Sequence, residues 1–202
     1  MPKLAFHEIE KLFRQLLVPF YEVRRDMPLP FTVRRFENDA EHSWSLATLA
    51  CSLVSHIDPT LDTGKIAEYA LVHDLTEIHA GDTSVWAKKK HLASKKEREE
   101  TALKKILAEH KSFPWLTKTL TEYERQDTSE AQFVKAVDKY IALLFDYIDK
   151  GQYYQDHKIT IEDFEKHMED HRQKASLHPG VKKYYEEIRS LLLAHPEFFY
   201  SS

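Results

Sequence analysis

Leu71-Val72-His73-Asp74-Leu75-Thr76-Glu77-Ile78-His79-Ala80-Gly81-Asp82 is the stretch that decides how this chain is read. It opens as the end of an apolar helix and sets a histidine beside an aspartate. Helical neighbours point about 100° apart, yet an imidazole Nε2 and a carboxylate oxygen reach out by different lengths and can meet over one ion. Glu77 lies four residues after His73 and three after Asp74, which returns it to the same side of a continuous helix. Gly81 offers a helix stop, with Asp82 just beyond it. A lone His-Asp pair is most often a surface polar pair, and 12 His among 33 Asp and Glu make chance adjacency common. Here Ile66, Ala67, Tyr69, Ala70, Leu71 and Val72 crowd the N-terminal side. They place the pair near the core, where a charge needs a partner or a metal.

Outward toward the N-terminus, Asp62-Thr63-Gly64 begins this helix, and another precedes it. Asn38 or Asp39 is a competent N-cap, and Leu46, Leu49, Ala50, Leu53, Val54 and Ile57 form a buried stripe ending at Asp58-Pro59. His42 sits one turn in, in line with Leu46, Leu49 and Leu53; a histidine there is more often a satisfied core residue than a ligand. Further back, Phe6, Ile9, Leu12, Phe13, Leu16 and Leu17 predict a helix over about 5–24, kinked or broken at Pro19. Between the two, Arg24 to Arg35 carries two prolines and four arginines and reads as a loop. Either it is a solvated basic loop, or its guanidinium forks clamp a phosphate.

Toward the C-terminus, Lys88-Lys89-Lys90-His91 and the mixed charges of residues 94–100 read as a mobile loop entering a solvated helix. Helices follow at about 94–110, 115–125 and 129–150. The last has a stripe of Phe133, Val134, Val137, Ile141, Leu144 and Ile148 with Asp138 beside it. An aspartate there costs several kcal/mol if buried and unpaired, so it reaches the surface or binds something. Past Gly151, one helix runs from Thr160 or Glu162 to about Lys174, and a last one from Pro179 to about Ala194. The aromatic tail His195–Tyr200 is expected to dock onto the body or a partner, a homodimer being one such assembly.

With 4 Gly and 8 Pro in 202 residues, 42% hydrophobic and 31% charged, the composition favours an all-α chain forming one domain over residues 1–202. The lone Cys51 fits a reducing compartment and a packing role. No signal segment and no membrane-length apolar run is visible. A net charge of −4 gives no support for binding polymeric nucleic acid. The expected location is cytoplasmic.

Three helices thus each present ionisable residues beside an apolar stripe: His42, the His73-Asp74 pair and Asp138. Two imidazoles and two carboxylates suit one divalent ion, Mn, Fe, Co, Ni or Zn, with Mg a further candidate. The order His … His-Asp … Asp resembles the HD-domain phosphohydrolases, and more closely the small bacterial members grouped with the 5′-deoxynucleotidases. Arg34–Trp44, His73–Thr83 and Thr128–Lys139 carry the likeness, spanning about residues 34–147.

The resemblance implies a compact helical bundle with the metal between helices, held by His42, His73, Asp74 and Asp138. It makes Glu77 and Asp82 the acidic residues that orient water and shuttle protons. The subgroup carries an Arg-Trp pair at the end of its first helix for phosphate and sugar. Arg25 stands in that neighbourhood without a Trp, so phosphate binding carries over and deoxyribose preference does not. Arg35 joins Arg25 in the expected clamp through its closeness in sequence to His42. The implied activity is hydrolysis of a phosphomonoester, a nucleoside 5′-monophosphate or a similar small phosphorylated metabolite. Two other classes compete. One is a non-catalytic metal- or nucleotide-binding regulatory module, against which Glu77 and Asp82 speak. The other is a ferritin-like redox bundle, which wants Glu-x-x-His on two helices; that motif is absent from the sequence.

Overall fold

The computed structural model describes residues 4–30, 35–84, 86 and 92–201, and they build an all-α body with one short β-ribbon. The chain starts with α1 (Phe6–Leu12), a π-helical turn (Phe13–Leu17) and α2 (Val18–Phe20). Pro19 has no N–H and its ring crowds the carbonyl four residues earlier. The wide turn just before it is the form the expected break takes.

The arginine-bearing stretch is not simply a loop. Arg24–Leu29 forms β1 and Arg35–Asn38 forms β2, antiparallel, with Pro28 opposite Phe36 and Leu29 opposite Arg35. Prolines exclude a helix there, but a two-stranded ribbon has open edges that tolerate them. Arg34 falls outside the described residues, as do Lys88, Lys89, Lys90 and His91.

Asn38 ends the ribbon and caps α3 (Asp39–Ile57) in a reciprocal box. Its side chain accepts from the Glu41 N–H at 3.0 Å, and Glu41 accepts from the Asn38 N–H at 3.2 Å. Such caps contribute about 1 kcal/mol and fix where a helix starts; here that start sets the direction of His42. Asp62 caps α4 (Thr63–Val72) one-sidedly, its side chain accepting from the Gly64 and Lys65 N–H groups at 2.7 and 3.2 Å. The helix does not continue through the His-Asp pair as the sequence suggested. His73–Thr76 form a tight turn, with Leu75 donating to Val72 O and Glu77 to Asp74 O, before α5 (Glu77–Ala80). Gly81 follows at φ 74°, a left-handed conformation that favours glycine.

The remaining helices are α6 (Lys95–Glu109), α7 (Pro114–Arg125), α8 (Ser129–Ile148), α9 (Gln152–Asp156), α10 (Ile161–His167), α11 (Glu169–Ala175) and α12 (Pro179–Leu193), then a 3₁₀ turn at Pro196–Phe198. The single helix expected over 160–174 is broken at Met168, and α9 was not foreseen. α8 is the axis: it packs against α3, α4, α11 and α12. Its first half, with Phe133, Val134 and Val137, enters a core shared with Leu46, Ile66 and Leu120. Its second half brings Leu143 to another cluster of Tyr154, Phe164, Tyr185 and Leu192. The aromatic tail docks there, with Phe199 stacked on Tyr154 at 4.9 Å.

Candidate metal centre and cleft

His42 from α3, His73 and Asp74 from the turn after α4, and Asp138 from α8 meet where the first core opens into a cleft. His42 and His73 rings lie 5.2 Å apart. His42 Nε2 is 3.1 Å from Asp138 Oδ1 and 3.9 Å from Asp74 Oδ2, while His73 Nε2 is 2.8 Å from Asp74 Oδ2. Ligand atoms of His42, His73 and Asp138 all lie within 4.8 Å of one another, and those of Asp39, Asp74 and Glu77 form a second such group. The four expected ligands are therefore brought together, with Asp74 at the junction of the two groups.

Each imidazole is held by its other nitrogen. His73 Nδ1 is 2.8 Å from the Ala70 carbonyl, which fixes Nδ1 as the protonated atom and turns a bare Nε2 inward. His42 Nδ1 stands 3.2 Å from the Glu37 carboxylate, which is buried on β2. A carbonyl or carboxylate behind a histidine is the usual device for aiming it at a metal. With its proton on Nδ1, His73 Nε2 makes no hydrogen bond among the described residues and faces the Asp74 carboxylate at 2.8 Å, acceptor against acceptor, an arrangement that costs free energy unless a cation is shared by the two. The donor set and this orphaned nitrogen both fit a divalent ion.

Charge is arranged around the same point. Burial would raise both ligand carboxylates, but it is outweighed: His73 and Arg25 hold Asp74 well below the usual range, and Lys139 and His42 do the same for Asp138. For His42, burial and Arg25 press the pKa down, and the Asp138 and Glu37 carboxylates prevail and raise it. Glu77 is driven well above the ordinary carboxylate value by burial and then by Asp74. Asp39 is pushed up to about 7 by the same two causes.

Glu77 and Asp82 both line the cleft, whose volume is about 220 Å³, at the small end of ligand cavities. Asp82 accepts from the Asp26 N–H at 3.3 Å, joining the segment after α5 to the ribbon. Tyr153 on α9 donates to Asp26 Oδ2 at 2.7 Å and so ties the ribbon to the far side of the cleft.

The two arginines part company. Arg25 reaches the cleft, but its Nη1 lies 2.6 Å from Asp74 Oδ2 and 3.2 Å from Asp39 Oδ1, with its Nε 3.6 Å from Glu37. Arg35 is not brought to the cleft: its guanidinium makes a two-pronged pair with Glu41 at 2.7 and 2.8 Å. The paired clamp expected of the ribbon is thus not formed. Glu41 was already committed to the cap of α3, and Arg35 lies exposed at the open start of β2 while Glu37, two residues on, is buried against the site.

Sequence reasoning missed Glu37, Asp39, Lys135 and Lys139. Glu37 becomes visible only once β2 is recognised as a strand, since residue 37 then shares a face with neither 36 nor 38. Asp39, one of two candidate N-caps in the sequence, lies instead in the first turn of α3, buried with Arg25 3.2 Å away.

The HD domain family matches residues 22–178, more than three-quarters of the chain. The human 5′-deoxynucleotidase HDDC2 is 33% identical over 109 residues, which is 53% of this chain and 52% of that protein, so the likeness spans about half of each. Among solved structures, a predicted metal-dependent phosphohydrolase from Magnetospirillum magnetotacticum MS-1 superposes with a TM-score of 0.76 at 24% identity. That match covers 98% of this chain and 100% of the other, and at this identity it speaks for the fold alone. The match across the ribbon, the His-Asp turn and α8 joins the geometry to the sequence order: this chain belongs to the HD-domain family.

Proposed function

We propose that the protein is a metal-dependent phosphomonoesterase acting on small phosphorylated metabolites, with nucleoside 5′-monophosphates the favoured class. The observation that carries this reading is the convergence of His42, His73 and Asp138 within 4.8 Å at the floor of a cleft that also holds Glu77 and Asp82. Membership in the HD-domain family and the partial likeness to a human 5′-deoxynucleotidase support the substrate class.

His42, His73, Asp74 and Asp138 would hold the ion. When bound, a divalent ion supplies Lewis acidity: it makes water a stronger acid and offsets charge on a phosphoryl group. The chain does the rest. Glu37 and the Ala70 carbonyl keep both imidazoles aimed inward. Arg25 sits among Asp39, Asp74 and Glu77 and balances their charge, so the carboxylates remain together. In hydrolysis, the bond from water oxygen to phosphorus forms, the ester P–O bond breaks, and one proton passes from water toward the leaving oxygen. Glu77 and Asp82 are the cleft carboxylates placed to carry that proton.

The test is a screen of phosphomonoesters with the metal-loaded protein, repeated with Glu77→Gln. Release of phosphate by the parent chain and a drop of about 10²–10⁴-fold in the variant, with metal retained, is the expected pair of results. If Glu77→Gln and Asp82→Asn both turn over at the parent rate, neither carries the proton. The regulatory-module alternative gains if no phosphomonoester is cleaved while metal is bound.

A further inference from the structure

Among the described residues, five lysines and arginines line the cleft, and four of them are matched by a carboxylate. Arg25 is 2.6 Å from Asp74, Lys139 is 2.7 Å from Asp138, Lys174 is 2.5 Å from Asp170, and Lys95 is 3.5 Å from Glu99. Lys135 differs. It is half-buried on α8 and lines the cleft, yet it makes no hydrogen bond or ion pair among the described residues. It lies three residues before Asp138, and so on the same face of α8 as that carboxylate.

Burial pushes the Lys135 ammonium down, but Asp138, Asp74, Glu124 and Glu99 at longer range hold it above its ordinary value. It therefore stays charged. Carboxylates at a distance thus steady the charge, but no acceptor among the described residues takes its N–H donors, and a half-buried donor left open is costly. Lys174 has its pKa lowered by burial and then, despite Asp170, by Lys139 and Lys135. The wall formed by α8 and α11 thus gathers cations around one open ammonium. On the opposite wall Arg25 is consumed by carboxylates.

We infer that Lys135 is the anchor of an anion subsite on the α8 wall, and that it takes a phosphate oxygen of the substrate. This rests on the phosphomonoesterase reading for the identity of the anion and deepens it: the phosphate is gripped from α8, beside Asp138, rather than from the arginine ribbon. Lys135 is then a substrate-binding residue whose charge is completed only when the cleft is filled.

Inorganic phosphate is the direct probe. Its dissociation constant is measured by equilibrium titration of the metal-loaded full chain, for wild type, Lys135→Met and Lys135→Arg. Loss of a hydrogen bond between charged groups weakens binding by about 10–100-fold, so Lys135→Met is expected to fall in that range, with bound metal and helical content unchanged. Lys135→Arg should restore most of the affinity, which a purely structural lysine would have no reason to do. If Lys135→Met does not fold, Lys135→Gln replaces it in the same titration. Equal phosphate affinity in wild type and the neutral variant, with metal intact, overturns the subsite, and so does a wild type that binds no phosphate. The hydrolytic reading fails separately: a protein that binds phosphate through Lys135 but cleaves no phosphomonoester keeps the subsite and loses the enzyme.

Discussion

Two aspartates on the same helix, both buried, have opposite fates. Asp138 and Asp146 lie eight residues apart on α8, 4% and 6% exposed. Asp138 opens into the first core, where Lys139, His42 and His73 hold its carboxylate ionised against the pull of burial. Asp146 lines the same cleft where it borders the second cluster; there burial pushes its pKa up to about 7 and the Tyr154 hydroxyl, 2.6 Å away, is its close partner. Burial is common to both and so decides nothing. The partners decide: cations and imidazoles keep one aspartate ionised and fit to hold a metal, and a single neutral donor leaves the other a structural strut.

The sharpest way to break this contrast is Asp138→Asn. The change keeps shape and removes the charge, and phosphomonoester turnover should fall by more than the roughly 10–100-fold typical of losing a residue behind a metal ligand. Steady-state kinetics at saturating metal measure it. Glu37→Gln comes next. Because Glu37 stands behind His42 and outside the proposed ligand set, metal affinity should weaken within that 10–100-fold range, read by competition with a metal-binding dye. An unaltered affinity would mean that His42 needs no carboxylate behind it.

Asp146→Asn should leave turnover alone and change stability. Its folded-state pKa, about 7, lies above the ordinary 3.8, so the folded protein binds the proton more tightly than the unfolded chain. The contribution is full below the ordinary value, declines as pH rises toward 7 and levels off above it. About three units correspond to roughly 4 kcal/mol at most. Melting curves between pH 4 and 8 should show a decline in wild type that is flatter in Asp146→Asn. The smallest effect belongs to Tyr154→Phe, which removes the donor and should cost about 1–3 kcal/mol, most visibly at high pH where Asp146 is ionised. Urea unfolding at pH 8 reads it.

Helices were legible because their signals are local. The apolar period of α3, α4 and α8, the Asn38 and Asp62 caps and Pro179 marked where those elements begin to within a residue. The meeting of His42, His73, Asp74 and Asp138 was legible too, since each stood beside a strong apolar stripe and their order had a family likeness. The ribbon was not. Its strands hold six and four residues, and their pairing is non-local, so prolines spoke against helix without speaking for strand. With the ribbon went the inward turn of Glu37, the burial of Asp39 and the outward turn of Arg35. Lys135 lay in plain view on α8, but an open cation is recognised only when every neighbouring cation can be seen to be paired. The break between α4 and α5 escaped because the tight turn at His73–Thr76 contains neither Gly nor Pro.

The most direct test sets the two aspartates side by side. Wild type, Asp138→Asn and Asp146→Asn are stripped with a chelator, reloaded with manganese, cobalt, nickel, iron or zinc in turn, desalted and submitted to elemental analysis. One ion per chain in wild type and in Asp146→Asn, with little or none in Asp138→Asn, is the expected result. Equal metal content in Asp138→Asn and wild type would contradict the centre described above.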